Sequence, residues 1–233
     1  MNLISQRYTP SSEVRGEEMR RCKAKNESSG LFNEIVYLDG DAKRSTFKDL
    51  FDECVKRWSG QLCVVANSDI WFDDSLRLLR GISSDRSFVT LTRWDCPSSP
   101  AMHGHVVFVK DGEEGLPESV FFSGTQDSWC FIAGDVHLSA PEVPLGVQGG
   151  DQAIAAWACE KKLFVTDPAI SIRSWHEHKD KNGNQSHSVV SIYAYPELTT
   201  TDSRGLVAFH DLPEGAAGVF DIADKVQVTR CLR

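Results

Sequence analysis

The chain has 233 residues, 41% of them hydrophobic and 25% charged, which is enough for one sizeable core and excludes a disordered chain. A net charge of −8 and a pI near 5.4 argue against a nucleic-acid partner, because such binders cluster Lys and Arg on one face. No signal peptide and no apolar run of membrane-spanning length is seen, so a cytoplasmic protein without a membrane span is expected.

The seven cysteines are scattered and never spaced as CxxC, and several lie within apolar runs. That is the usage of a reducing compartment, with cysteine serving as a small buried hydrophobe.

Taken in order, residues 1–6 read as a strand closed by Pro10. Residues 12–25 read as a polar surface helix, weakly anchored by Val14, Met19 and Cys22. Its basic run (Arg20, Arg21, Lys23, Lys25) reads as a solvated face. A strand at 34–38 ends at the Asp39-Gly40 turn signal. Thr46 and Asp49 have capping-box spacing, and Phe47, Leu50, Phe51, Cys54, Val55 and Trp58 recur at helical period until Gly60 stops the helix. Strands at 62–66 and 88–92 follow, with a short helix at about 74–80 between them. Strands alternating with crossover helices predict an α/β, Rossmann-like fold with a mixed, mainly parallel central sheet covered by helices on both faces.

After Trp94 the pattern changes. Strands are expected at 105–110, 120–124 and 129–133, and a helix at about 152–162. Residues beyond 183 read as β and loop.

Ligands of open α/β sheets bind beyond the carboxyl ends of the strands. Asp69 lies at such an end, where a carboxylate can face a crevice and hold a divalent ion. The competing reading is an Asx-type turn over residues 67–69. Asp73 and Asp74 read as helix caps.

The segments VVANSDIWFDDSL, FVTLTRWD, GTQDSWCFIAG, LGVQGGDQAIAAWACEKKLFV and HEH occur in that order. Together they resemble a family of glycosyltransferase-like proteins with the GT-A fold, similar to viral and bacterial sugar-nucleotide-dependent glycosyltransferases. The resemblance covers residues 6–178; NSDIWFDDSL, TRWD and TQDSW are its most specific parts. It implies a GT-A-like domain over 1–182, with a nucleotide-binding half to about residue 95 and an acceptor-side half after it. Residues 183–233 are expected as an extension packed on the same domain.

In such enzymes a strand-end acid holds manganese or magnesium against the donor diphosphate, a role that falls here on Asp69. The usual pattern is Asp-x-Asp, and this chain carries Asn67 in the first place, followed by Ser68. His176 or His178, two apart and so on one face of a strand, would complete the metal site. Asp151 stands where related transferases carry the base that deprotonates the acceptor, although Gly150 replaces the acid that often precedes it. Plain N-capping is the alternative role for Asp151. Asp127 is the rival catalytic acid, with Trp129 read as core. Arg93 borders the crevice and would pair with phosphate or with a carboxylate such as Asp95. Gln6, Arg7, Tyr8 and Asp39 would form the nucleotide wall, Asp39 also being readable as the turn residue. His103 and His105 are read as structural or solvent-exposed.

The implied activity is metal-dependent, inverting transfer of a sugar from a nucleotide-diphospho-sugar to a hydroxyl of a glycan, lipid-linked or protein-linked acceptor. A non-catalytic sugar-nucleotide-binding module is the alternative. A nucleotidyltransferase ranks lower, because no Gly-rich loop precedes the first helix.

Overall fold

The computed structural model describes residues 1–81, 86–96, 101–102, 106–110, 119–123, 126–147, 149–169, 171–177, 199–202 and 205–208. His178, His103 and His105 lie outside the described residues. Strand β1 (Asn2–Arg7), helix α1 (Glu13–Ser28), β2 (Ile35–Asp39), α2 (Phe47–Trp58) and β3 (Leu62–Ala66) follow the order expected from sequence. Next come β4 (Ile70–Phe72), a 3-10 turn (Asp74–Gly81), β5 (Ser87–Cys96) and the short β6 (Ala101–Met102). A separate hairpin of β7 (Val106–Lys110) and β8 (Ser119–Ser123) precedes β9 (Gln126–Ile132). Helix α3 (Gly150–Glu160), β10 (Phe164–Thr166) and β11 (Ser174–Glu177) complete the main body. The strands β12 (Thr199–Asp202) and β13 (Gly205–Ala208) pair with each other in the C-terminal segment.

The principal sheet runs β2-β1-β3-β9-β5-β11-β4, with β10 and β6 also paired to β5. It is a curled, mixed sheet rather than a mainly parallel one. Strands β1, β2 and β3 are parallel, as are β5, β10 and β11. Between these two groups β9 runs antiparallel to both β3 and β5. The start of β9 therefore lies beside the carboxyl ends of its two neighbours.

Alternation along the strands gives two cores. Ile4, Cys63, Val65, Phe88, Trp129 and Phe131 face α2 and α3. Leu3, Val64, Ala66, Val89, Leu91 and Cys130 face the opposite side, with Ile70, Phe72, Leu76 and Leu79 folded over them. The capping box of α2 forms as expected: Asp49 N–H donates to Thr46 Oγ1 at 3.1 Å, and Thr46 N–H donates to Asp49 Oδ2 at 2.8 Å. Trp129 is core, its ring meeting Phe47 edge-on at 4.6 Å. Asp73 caps the 3-10 turn by accepting from Ser75 N–H at 2.8 Å, while Asp74 sits in its first turn and binds Arg77.

Helix α1 departs from its expected role. Val14 is 50% exposed and anchors nothing, whereas Glu18, Met19, Cys22 and Asn26 are buried. Of the basic run, Arg20 binds only the exposed Glu17, but Arg21 and Lys25 both reach Glu177 on β11, at 2.8 and 2.5 Å. Asn26 closes the outer edge of β4: its amide donates to Ile70 C=O at 2.9 Å and accepts from Phe72 N–H at 3.2 Å. The helix docks through polar bonds.

Cys22, Cys54, Cys63 and Cys130 are free and buried, as their apolar contexts imply. Cys159 is disulfide-bonded, which departs from the expectation of unpaired thiols throughout.

His137 is fully buried among Phe51, Phe88, Phe131 and Trp157, with the Phe131 ring stacked at 4.1 Å. Burial in these apolar surroundings pushes it from 6.5 down to about 4. Between those values the unfolded chain binds a proton that the folded chain refuses, so His137 withdraws stability as pH falls, by roughly 3 kcal/mol in full. Denaturant midpoints of the wild type and His137→Phe at pH 7 and pH 4.5 should diverge, the wild type losing more on acidification. Parallel losses would refute this role for His137.

Candidate functional site

Two groups of polar side chains lie at the carboxyl ends of β3 and β5, joined by the turn that leaves β3. This turn is closed by Ile70 N–H donating to the backbone C=O of Asn67 at 3.2 Å, while the Asn67 side-chain amide goes to Asp127, so a backbone turn stands where sequence offered an Asx-type one. Asn67 points to one group and Asp69 to the other.

The first group centres on Asp127. Its Oδ1 accepts from Asn67 Nδ2 at 2.5 Å and its Oδ2 accepts from Arg93 Nη1 at 3.0 Å. Its carbonyl accepts from Asn67 N–H at 3.0 Å, so the peptide is fixed as well as the side chain. The register shifts between Leu91 and Thr92, placing Thr92 opposite Gln126. The shift has a local cause. Thr92 turns its N–H and hydroxyl to the buried carboxylate of Asp167, at 3.1 and 2.6 Å. An irregularity of this kind re-aims the neighbouring side chains. Arg93 thus pairs with the carboxylate of Asp127.

Asp151 stands beside this group. Gly149 adopts a left-handed conformation (φ 78°) before α3, and a Cβ on Gly150 would lie 3.3 Å from Val143 Cγ1. The Gly-Gly pair thus lets the first turn of α3 pack closely on Val143, Pro144 and Phe47 of α2. Asp151 Oδ2 accepts from Gln126 N–H at 3.0 Å, one residue before Asp127. Burial raises Asp151 from 3.8 to about 7; the N–H of Gln126 opposes this, and the nearby charge of Asp127 adds to it. Asp151 is therefore more than a helix cap.

The second group centres on Asp69, whose side chain is 6% exposed. Its Oδ2 accepts from Arg15 Nη2 at 2.5 Å and from His176 Nε2 at 2.8 Å. Arg15 also donates to the buried Glu18 at 3.3 Å and hydrogen-bonds Tyr8. Burial alone would raise the Asp69 carboxyl, but His176 and Arg15 outweigh it and hold the group well below the usual carboxylate range.

These surroundings do not fit a divalent ion. A hard cation needs several oxygen ligands with open lone pairs. Here one oxygen of Asp69 carries a guanidinium and an imidazole N–H, and the Asn67 amide is committed to Asp127. Among the described residues no group of three His, Cys, Asp or Glu could hold a metal. Asp69 and His176, expected as metal ligands, bind each other, and Asp69 also binds Arg15 of α1.

The expected nucleotide wall is divided. Gln6 is buried, accepts from Ser45 N–H at 2.9 Å and packs where a Cβ on Gly40 would sit, so it holds a loop. Arg7 and Asp39 are paired in register and exposed at the ends of β1 and β2; Asp39 also closes the expected turn by accepting from Asp41 N–H at 3.0 Å. Tyr8 belongs with Arg15. Ser68 is half-buried on the β3 turn.

Sequence reasoning passed over Arg15, Glu18 and Asp167. Arg15 sits in an unremarkable polar helix, and only its pairing across 54 positions gives it a role. Asp167 precedes Pro168, and its position gives no hint that it serves Thr92, 75 residues away.

A comparison with protein-family profiles finds no match, and neither does one with curated proteins. Among solved structures, that of S. aureus TarS 1-349, a glycosyltransferase, is similar at 11% identity with a TM-score of 0.40. The similarity covers 85% of this chain and 60% of the TarS chain. Likeness of that size fixes no activity. Among the described residues no helix is long and apolar enough to cross a membrane.

The Asp151 carboxyl has a consequence for stability. Its folded value of about 7 lies above its ordinary 3.8, so the folded state holds a proton that the unfolded state releases, and stability falls as pH rises through that window. Asp151→Asn keeps an oxygen for Gln126 N–H and removes the charge. The variant should be more stable than wild type at pH 8, by up to about 4 kcal/mol, with the gap closing near pH 4. Equal denaturant midpoints at pH 8 would show that the carboxylate is not strained by burial.

Proposed function

We propose that the chain is a glycosyltransferase that moves a sugar from a nucleotide-diphospho-sugar to an acceptor hydroxyl, with Asp151 as general base and inversion at the anomeric carbon. One observation carries this reading: Asp151 sits at the carboxyl ends of the strands with a pKa of about 7, beside an Asp127 fixed by Asn67 and Arg93. A base works best when its pKa lies near the operating pH, because it is then both largely ionised and still willing to take a proton.

In the proposed reaction the acceptor hydroxyl gives its proton to Asp151 as its oxygen bonds to the anomeric carbon. The bond from that carbon to the diphosphate breaks, and a nucleoside diphosphate departs with the electron pair. Asp127 is held beside Arg93 and Asn67, and its charge favours proton uptake by its neighbour. The acceptor classes remain a glycan or a lipid- or protein-linked sugar. The binding-module alternative draws support from Asn67 in the first acidic position, Gly150 before Asp151 and the pairing of Asp69 with Arg15 and His176.

The deciding experiment is a thermal-shift screen of UDP-, GDP-, dTDP- and CDP-sugars with and without manganese, followed by an assay for nucleoside diphosphate release. Ligand that binds only the folded chain raises the melting temperature by mass action. With the donor so identified, Asp151→Asn should lower turnover by about 10²–10⁴-fold while donor affinity changes little. Binding without turnover would favour the module. Undiminished turnover in Asp151→Asn would remove the base from the proposal.

A further inference from the structure

A carboxylate whose charge is already matched by a bound guanidinium has little attraction left for a dication. Asp69 Oδ2 already accepts two N–H groups, from Arg15 and His176. The guanidinium keeps its charge at every accessible pH, so a dication at Asp69 would face a fixed positive neighbour. Glu18 and Tyr8 hold Arg15 from other sides, which ties the guanidinium to this place.

Helix α1 has the matching need. It brings little apolar surface to the sheet: its inward residues are Glu18, Met19, Cys22 and Asn26, and Val14 faces outward. Its attachment runs through three polar contacts spaced along its length. Arg15 meets Asp69 in the first turn, Arg21 and Lys25 meet Glu177 farther on, and Asn26 clamps β4 in the last turn. The backbone joins the first two contacts, since Glu177 N–H donates to Asp69 C=O at 3.1 Å. An ion that displaced Arg15 would leave the buried Glu18 facing a released guanidinium and would loosen the first turn of α1.

We infer that Asp69 is the anchor of α1 and takes no divalent ion, so that sugar-nucleotide binding by this chain is independent of metal. The anchor stands by itself; the metal-independent binding rests on the glycosyltransferase reading.

The anchor is tested without a donor. Manganese titrated into the full chain, followed by calorimetry or water-proton relaxation, should reveal no stoichiometric site. One bound manganese per chain, lost in Asp69→Asn, would overturn the inference. Denaturant midpoints of Asp69→Asn, Arg15→Gln and the double variant should show strong coupling, each single variant lowering the midpoint and the double lowering it little further. Additive losses, or an Asp69→Asn chain as stable as wild type, would overturn it too. Should Asp69→Asn not fold, His176→Gln and the wild-type manganese titration decide between the two roles, because an anchor loses stability and a metal site loses manganese.

Dissociation constants for the UDP-, GDP-, dTDP- and CDP-sugars are then compared in EDTA and in 1 mM manganese. Agreement within about twofold is expected for whichever donor binds. A donor that binds only with manganese would overturn metal independence and leave the glycosyltransferase reading intact. Failure of all four in both buffers would overturn that reading and metal-independent binding with it, while the anchor is still judged by the manganese titration and the variants.

Discussion

Buried charge must be paired, and that constraint decides how α1 meets the sheet. A helix without an apolar stripe gains little by covering a core, so its place has to be set by specific bonds. Asp69 and Glu177 supply them from adjacent points on the sheet, each carrying two positive partners or hydrogen-bond donors from elsewhere. The arrangement is directional. Arg15 and Lys25 lie ten positions apart on the helix, and their two carboxylate partners fix its rotation and its slide along the sheet together. Removing one partner from such a pair leaves the other charge buried and uncompensated, which costs more than the pair itself contributes.

A second constraint acts at β9. Running antiparallel between two parallel strands, β9 delivers its first residues to the edge where β3 and β5 deliver their last. Gln126 and Asp127 therefore reach the carboxyl-end crevice, although they open a strand. The register shift at Thr92, held by Asp167, then sets which of them faces Arg93. A buried aspartate 75 positions from Thr92 in sequence thus bears on the aim of the groups within the crevice.

Elements with strong local signals were legible in the sequence. The capping box and apolar period gave α2 to within a residue, and the apolar run gave β3 without error. Both bury continuous apolar surface, so local pattern and tertiary packing agree. The strands β4, β10 and β11 were missed because three or four residues carry no period, and partners far away in sequence decide their pairing. The sheet was read as mainly parallel because alternation of strand and helix does not reveal an antiparallel β9 inserted later in the chain. At the site, Asp127 and Asp151 could be singled out by type and context. Their mutual proximity, the Arg93 bond and the commitment of Asp69 to α1 could not, since all three depend on contacts across 24 or more positions.

Two aspartates of one sheet end have been given opposite chemistry by their neighbours. Asp69 is buried with an arginine and a histidine on one oxygen, and these hold it ionised far into acid. A carboxylate so stabilised is a poor base, because taking a proton would forfeit both bonds. Asp151 is half-buried with no cation bonded to it among the described residues, faces the charge of Asp127 and is offset by backbone N–H groups. It gains by accepting a proton near neutral pH. The same burial that makes Asp69 a fastening makes Asp151 reactive, and the difference is whether a positive charge was buried with it. On the proposed reading, chemistry at this end of the sheet falls to α3 and the start of β9, and the acid at the end of β3 fastens α1.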